Sequence, residues 1–299
     1  CILSPKRMPP SAHLELPEMP APKDSRGWER YKMAKGGETV GPSVEDVYWN
    51  LLSLGIAAVI WNLGYPIQQA TTFSPGWVAS VFMRNFILMG GIFQGFHWVM
   101  YRSGFRQTFT KFNSKMPKEE EIARDRRYTM LSLLINSGIE CFMIHAWAAG
   151  SVAYEERILD APFKVFVMLI LSPFFRELHF VIYHRLLHIQ PLFKWFHAHH
   201  HLSYNPSPWS GLSMHPVESI TYFTGPILPC LVFTTHPIVF LFANVHAQVA
   251  SVYGHHGHEE YGGSYFHYLH HSKVWCNYGT PFLPLDILMG TWETGHPRK

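Results

Sequence analysis

Residues 163–188 read FKVFVMLILSPFFRELHFVIYHRLLH: an apolar run from Phe163 to Phe175 that passes without a break into His184-Arg-Leu-Leu-His188. As a membrane span the run is short, and as the first half of a longer helix it is ample. On such a helix the i, i+4 spacing puts both imidazoles on one face. The stretch therefore joins a bilayer-type helix to a pair of metal-capable side chains. Working outward, further apolar runs cover Tyr48–Tyr65, Trp77–Met100 and Met130–Ala153, the last carrying Glu140 and His145. Two more, Ile220–Phe233 and Pro237–Ser251, are separated by Thr234-Thr235-His236-Pro237, which reads as the tip of a helical hairpin. Composition agrees with this pattern. Of the 299 residues 47% are hydrophobic and only 15% charged, against about a quarter charged in soluble domains. The expected class is all-α, a polytopic membrane helical protein with a cytoplasmic-side histidine-rich metal-binding cap.

The distribution of cations orients the helices. Residues 1–46 form a polar, Pro-rich N-terminal arm with seven Lys or Arg, and the 101–128 connection has eight. The 65–76 connection has none, and 154–162 has only Arg157. Positive-inside bias places the arm and the basic loop in the cytoplasm. Four crossings then bring His184–His201 to that same side, and a hairpin over 220–251 returns His255–His271 beside it. The net charge of +3 is scattered and gives no case for nucleic acid. The four Cys show no paired spacing, which argues against structural disulfides and a thiolate zinc site.

Of the 20 His, 16 lie between His179 and His271. After His184 and His188 comes His197-Ala-His199-His200-His201, in which His197, His200 and His201 stand at i, i+3 and i+4 while His199 points elsewhere. His267-Tyr-Leu-His270-His271 repeats the spacing. Gly254-His255-His256-Gly257-His258 lies between them, less helical because of its glycines and able to supply ligands from a loop. A single i, i+4 pair says little, since one helical His is more often packed than ligating, and His13, His97, His145, His236 and His296 are read that way. Three clusters together exceed the four ligands of a tetrahedral zinc and imply two metals. Imidazole alone does not choose among Fe, Zn, Cu and Ni. Glu177, two helical turns before His184 on the same face, is placed to orient a ligand imidazole, with Glu218, Glu259 and Asp286 as further carboxylates.

At these residues the chain resembles the sterol desaturase and fatty acid hydroxylase superfamily of membrane di-iron enzymes. The resemblance runs over about residues 165–295. It rests on Glu177, on the three His boxes, on Met214-His215-Pro216, on Asn277-Tyr278-Gly279 and on Leu285-Asp286-Ile287-Leu288-Met289-Gly290-Thr291-Trp292. The chain departs from the family at Leu285, where a Trp is usual, at Glu177, where an Asp is usual, and across His255–His258. What the resemblance implies is a fatty acid hydroxylase-like catalytic module over 163–299, preceded by transmembrane helices over 47–162. It implies metal ligands at His184, His188, His197, His200, His201, His267, His270 and His271, with His255 and His258 completing the set, and supporting roles for Glu177, Asn277 and Asp286. It further implies two iron ions, with zinc as a substitute metal, and dioxygen as co-substrate in hydroxylation or desaturation of a sterol, fatty acyl chain or sphingolipid. No catalytic group separate from the ligands is expected. Electrons would come from an external donor of cytochrome b type or a reductase, at the endoplasmic reticulum or another internal membrane. The alternative is a catalytically silent member serving as a structural subunit of a larger membrane complex.

Overall fold

The structure, a computed structural model, describes residues 41–293; the expected arm up to residue 40, with His13, and the end of the chain with His296 lie outside them. Helix α1 (Val44–Asn62) opens on a capping box in which Ser43 and Asp46 exchange hydrogen bonds. It thus begins inside the span drawn as the arm. Helix α2 (Pro75–His97) continues through a π-helical turn to Arg102. Helix α3 (Glu119–Ala148) takes its first ten residues from what reads in sequence as the basic loop. Three glutamates in its first turn favour helix at that end, where they complement the positive pole of the dipole. Helix α4 (Pro162–Leu187) is the stretch on which the sequence reading opened, continuous as expected.

These four helices are each long and apolar enough to cross a bilayer. On α4 the exposed apolar side chains Phe163, Phe166, Ile170, Phe174, Leu178, Ile182 and Leu186 recur every three or four residues, while Ser172, Glu177 and His184 turn inward. That is the inverse of a soluble helix: apolar outside, polar within. The molecule is a helical membrane protein, and among the described residues there are no strands, only an isolated bridge between Lys111 and His258.

The second half is shorter-segmented: α5 (Pro216–Thr224), α6 (Leu228–Val232), α7 (Ile238–His255), α8 (Tyr265–Lys273) and α9 (Leu285–Met289). The hairpin of the sequence reading becomes α5, α6 and α7. Every residue of α7 from Ile238 to Val252 is buried, with α1, α2, α4 and the Pro208–Ser210 turn all packed against it. It is a central helix of the protein rather than a lipid-facing one, which explains why its apolar character has no single face.

Candidate metal centre

Each His box is carried by a different local structure. His184 lies in the last turn of α4 and His188 caps it. The second box sits on a π-helical turn (Phe193–His197) followed by a 3-10 turn (His200–Leu202), and the third on α8. His255 ends α7. The nine imidazoles meet as two groups, His184, His188, His197, His201 and His270 in one and His200, His255, His267 and His271 in the other, with the ligand atoms of each group within 4.8 Å of one another.

The sorting follows a rule. Every i, i+4 pair (184/188, 197/201, 267/271) stays within one group, whereas the intervening i+3 residue of the second and third boxes crosses to the other. Adjacent residues on a helix diverge by about 100°. The doublets His200-His201 and His270-His271 therefore straddle the two positions, with ring centroids 5.8 Å apart in each doublet.

The orientation of the rings is fixed from behind. Backbone carbonyls accept from Nδ1 of His184 (Tyr278, 2.6 Å), His270 (Cys276, 2.6 Å), His255 (Ser251, 2.9 Å) and His200 (Ser213, 3.3 Å). The Glu218 carboxylate takes Nδ1 of His197 at 2.8 Å. A carbonyl can only accept, so Nδ1 carries the hydrogen and Nε2 presents a lone pair to the interior. Those lone pairs converge. The Nε2 of His197 is 3.1 Å from Nε2 of both His184 and His201, and the Nε2 atoms of His255 and His267 are 2.9 Å apart. Both ring nitrogens of His188 and His271, and Nε2 of His270, are buried without a hydrogen-bond partner. Neutral imidazoles facing one another this way repel unless cations sit between them, so the donor set fits metal ions. Burial and mutual repulsion also hold His197, His201, His267 and His271 well below the ordinary imidazole value, keeping them in the neutral form that a metal requires.

The remaining expected residues take other places. His258 lies outside both groups; its Nδ1 is 2.8 Å from the carbonyl of His256 and its ring edge meets Tyr101. His199 turns away onto Tyr128. Glu177 touches no ligand imidazole: it pairs with Arg176 and accepts from the Thr280 hydroxyl at 2.7 Å. Asp286 accepts from the backbone N–H of Tyr278 and Gly279, and Asn277 bonds the carbonyls of Phe266 and Glu293. Between them they pin the 276–279 loop whose carbonyls hold His270 and His184. Asn277 adopts φ +55°, a left-handed conformation that Asn tolerates better than most residues. Glu218, one of several carboxylates in the sequence, is the one hydrogen-bonded to a grouped imidazole, that of His197. Its spacing from His197 carries no helical signature because α5 is a separate element.

The first half of the chain also reaches the site. The Tyr101 hydroxyl donates to the carbonyls of His256 and Pro206, Phe112 N–H donates to the carbonyl of Gly257, and Lys111 donates to Asn205. Gly257, at φ +77°, leaves no room for a side chain, since a Cβ would fall 2.5 Å from the Pro206 carbonyl. The 101–112 segment thus clamps the loop that follows His255. A cavity of about 460 Å³ opens onto His184, His197, His200, His255 and His267. Its walls include Trp49, Phe180, Tyr183, Tyr222 and Tyr253. That is the size and character of a small-molecule site.

Fold and site define a helical membrane protein built around two groups of buried imidazoles that could each hold a metal ion. Residues 167–291 match the fatty acid hydroxylase family model, the segment over which the sequence resembles the sterol desaturase and fatty acid hydroxylase superfamily. It is similar to a Delta(7)-sterol 5(6)-desaturase of Gibberella zeae, 32% identical over 127 residues, which cover 38% of this chain and 35% of the relative. A Delta(7)-sterol-C5(6)-desaturase of Nicotiana tabacum is 33% identical over 123 residues (36% and 43% covered), and methylsterol monooxygenase 1 of Gallus gallus is 29% identical over 119 (36% and 40%). The match spans roughly two fifths of the length of these curated relatives. No solved structure matches the chain.

Proposed function

We propose that the protein is a membrane di-iron oxygenase that hydroxylates or desaturates a lipid with dioxygen. The observation that carries this reading is the pair of buried imidazole groups, with converging lone pairs, at the floor of an aromatic-walled cavity. The ligand set would be His184, His188, His197, His201 and His270 at one position and His200, His255, His267 and His271 at the other. Two bound irons would supply the dioxygen chemistry needed to take hydrogen from an unactivated C–H bond. The chain's own groups do the positioning. Carbonyls of Tyr278, Cys276, Ser251 and Ser213 set the imidazole tautomers, and Glu218 offsets part of the dication charge through His197. The aromatic walls hold an apolar substrate and exclude water. The relatives whose names specify sterol desaturation and methylsterol oxidation support lipid oxidation here.

In this reading residues 47–162 anchor the protein and 163–299 form the catalytic module. The loop cations support a site on the cytoplasmic side, where an external cytochrome b-type carrier or reductase delivers electrons. Metal analysis of gently purified protein, followed by anaerobic reduction and exposure to oxygen, tests it. About two irons per chain with oxygen consumption is the expected result; tightly held zinc and no turnover would overturn it.

A further inference from the structure

The two sides of the imidazole cluster differ in what lies against them. His184, His197, His200, His255 and His267 line the cavity, whereas His188 and His201 do not. On that other side the ring of Phe193 has its centroid 5.3 Å from that of His188 and 5.6 Å from that of His201. Trp275 packs next, 5.5 Å from Phe193 and 5.8 Å from His188. Phe193 is buried, yet Trp275 is 49% exposed. Among the described residues it is the one exposed aromatic ring in contact with a grouped imidazole. The backbone is strained beside it. Val274, at φ +69° and ψ −37°, is the centre of a γ-turn closed by the Trp275 N–H on the Lys273 carbonyl at 2.9 Å, a rare conformation that a β-branched residue adopts at a cost. The turn buries Val274 and leaves the larger apolar ring outside. Hydrophobic burial alone would favour the reverse.

Cations surround this face. Lys194 follows Phe193 and Lys273 lies two residues before Trp275, both exposed. The Arg185 guanidinium sits 5.3 Å over the Tyr278 ring, whose centroid is 4.9 Å from that of His188. Glu293 pairs with Lys273 at 3.6 Å and matches one of the three charges. Because His188 caps α4, the face stands at the end of a membrane-length helix, within reach of a water-soluble protein. We propose that Trp275 is where electrons enter the metal centre, and that the cations around it dock an acidic protein carrying a one-electron redox group. This rests on reading the imidazole groups as an iron site. In each encounter the carrier's redox group loses one electron, which passes by way of the Trp275 ring to the ion held by His188. Two encounters reduce a diferric pair, and no bond is made or broken. Donor and substrate thereby approach from different sides, the donor without entering the cavity.

The test uses iron-loaded protein in detergent, oxidised and kept free of oxygen, with the reduced soluble haem domain of a cytochrome b as probe. Stopped-flow absorbance of the haem gives a limiting rate and a half-saturating carrier concentration. Trp275→Leu is expected to lower the limiting rate about tenfold, and Trp275→Phe to restore most of it, with iron content and melting temperature at wild-type values. Lys194→Gln/Lys273→Gln should instead raise the half-saturating concentration about tenfold at low salt and flatten its dependence on ionic strength, with little change in limiting rate. Calorimetric titration with the oxidised haem domain, in which no electron moves, should show the same weakening for the lysine pair. An unchanged limiting rate in Trp275→Leu would make Trp275 an interfacial anchor only and overturn the proposal, as would carrier binding indifferent to the two lysines or wild-type protein that holds iron and does not oxidise the haem. If no iron is taken up, the oxygenase reading fails and electron entry with it, whereas iron uptake with an unaffected Trp275→Leu sinks the entry point alone.

Discussion

Between α2 and α3 the Glu140 carboxylate accepts from Arg84 at 2.6 Å, Asn85 at 2.8 Å and Tyr65 at 3.0 Å, and Asn85 reaches on to Ser137. Charge and hydrogen bonds close within the cluster. The nine imidazoles of the second half are buried to the same degree, yet their inward nitrogens face one another or nothing at all. A buried polar group without a partner costs about 1–3 kcal/mol. A chain would not carry several in one place unless something else completed them. The closed cluster therefore ties helices together, and the open one is built to bind. On the outward side the Nδ1 atoms of five of the nine imidazoles are held by carbonyls or a carboxylate, so for those five the open valence is the inward one.

The largest effect expected from this contrast is at the crossing residues. His270→Ala takes a ligand from the first group and His200→Ala from the second, and each should cut oxygen-dependent turnover more than a hundredfold with loss of bound metal, measured by elemental analysis. Glu140→Ala leaves Arg84 without its buried partner and should cost about 3 kcal/mol of stability, read as a lower melting temperature in detergent. Metal content per folded chain should stay the same; a loss of metal there would merge the two clusters into one functional unit. Glu218→Gln keeps the shape behind His197 and removes the charge. Metal affinity should fall by about tenfold to a hundredfold, measured by competition with a chelator, with little change in melting of the metal-free protein. The smallest effects belong to His199→Ala and His258→Ala, which lie outside both groups. Each should retain two metals per chain, and loss at either would break the assignment of ligands by convergence.

Much of this was legible from the residues. The apolar runs that begin at Tyr48, Trp77, Met130 and Phe163 each begin inside one of α1 to α4, the first and third running three and five residues past the helix ends at Asn62 and Ala148, because length and hydropathy are local properties that tertiary packing does not need to supply. The shared face within each box followed from i, i+4 geometry, and His199 was set aside on the same ground. The run over Ile220–Phe233 was harder. Pro216 opens α5 and Pro229 falls within α6, so the hydropathy is continuous while the helix is not. The burial of α7 on all sides also escaped a hydropathy reading, since lipid and a protein interior select the same side chains.

By itself the sequence determined four long apolar helices and imidazoles grouped by helical face within each box, since helical periodicity and apolar length are set by the chain's own backbone. The tertiary structure decided how they are divided. That His200 joins His255 while His201 joins His188, that His255 comes in and His258 stays out, and that Glu218 rather than Glu177 backs a ligand all depend on elements far apart in sequence. Local spacing fixes the face on which a side chain lies; only the packing of α4, α5, α7 and α8 against one another fixes what that face meets.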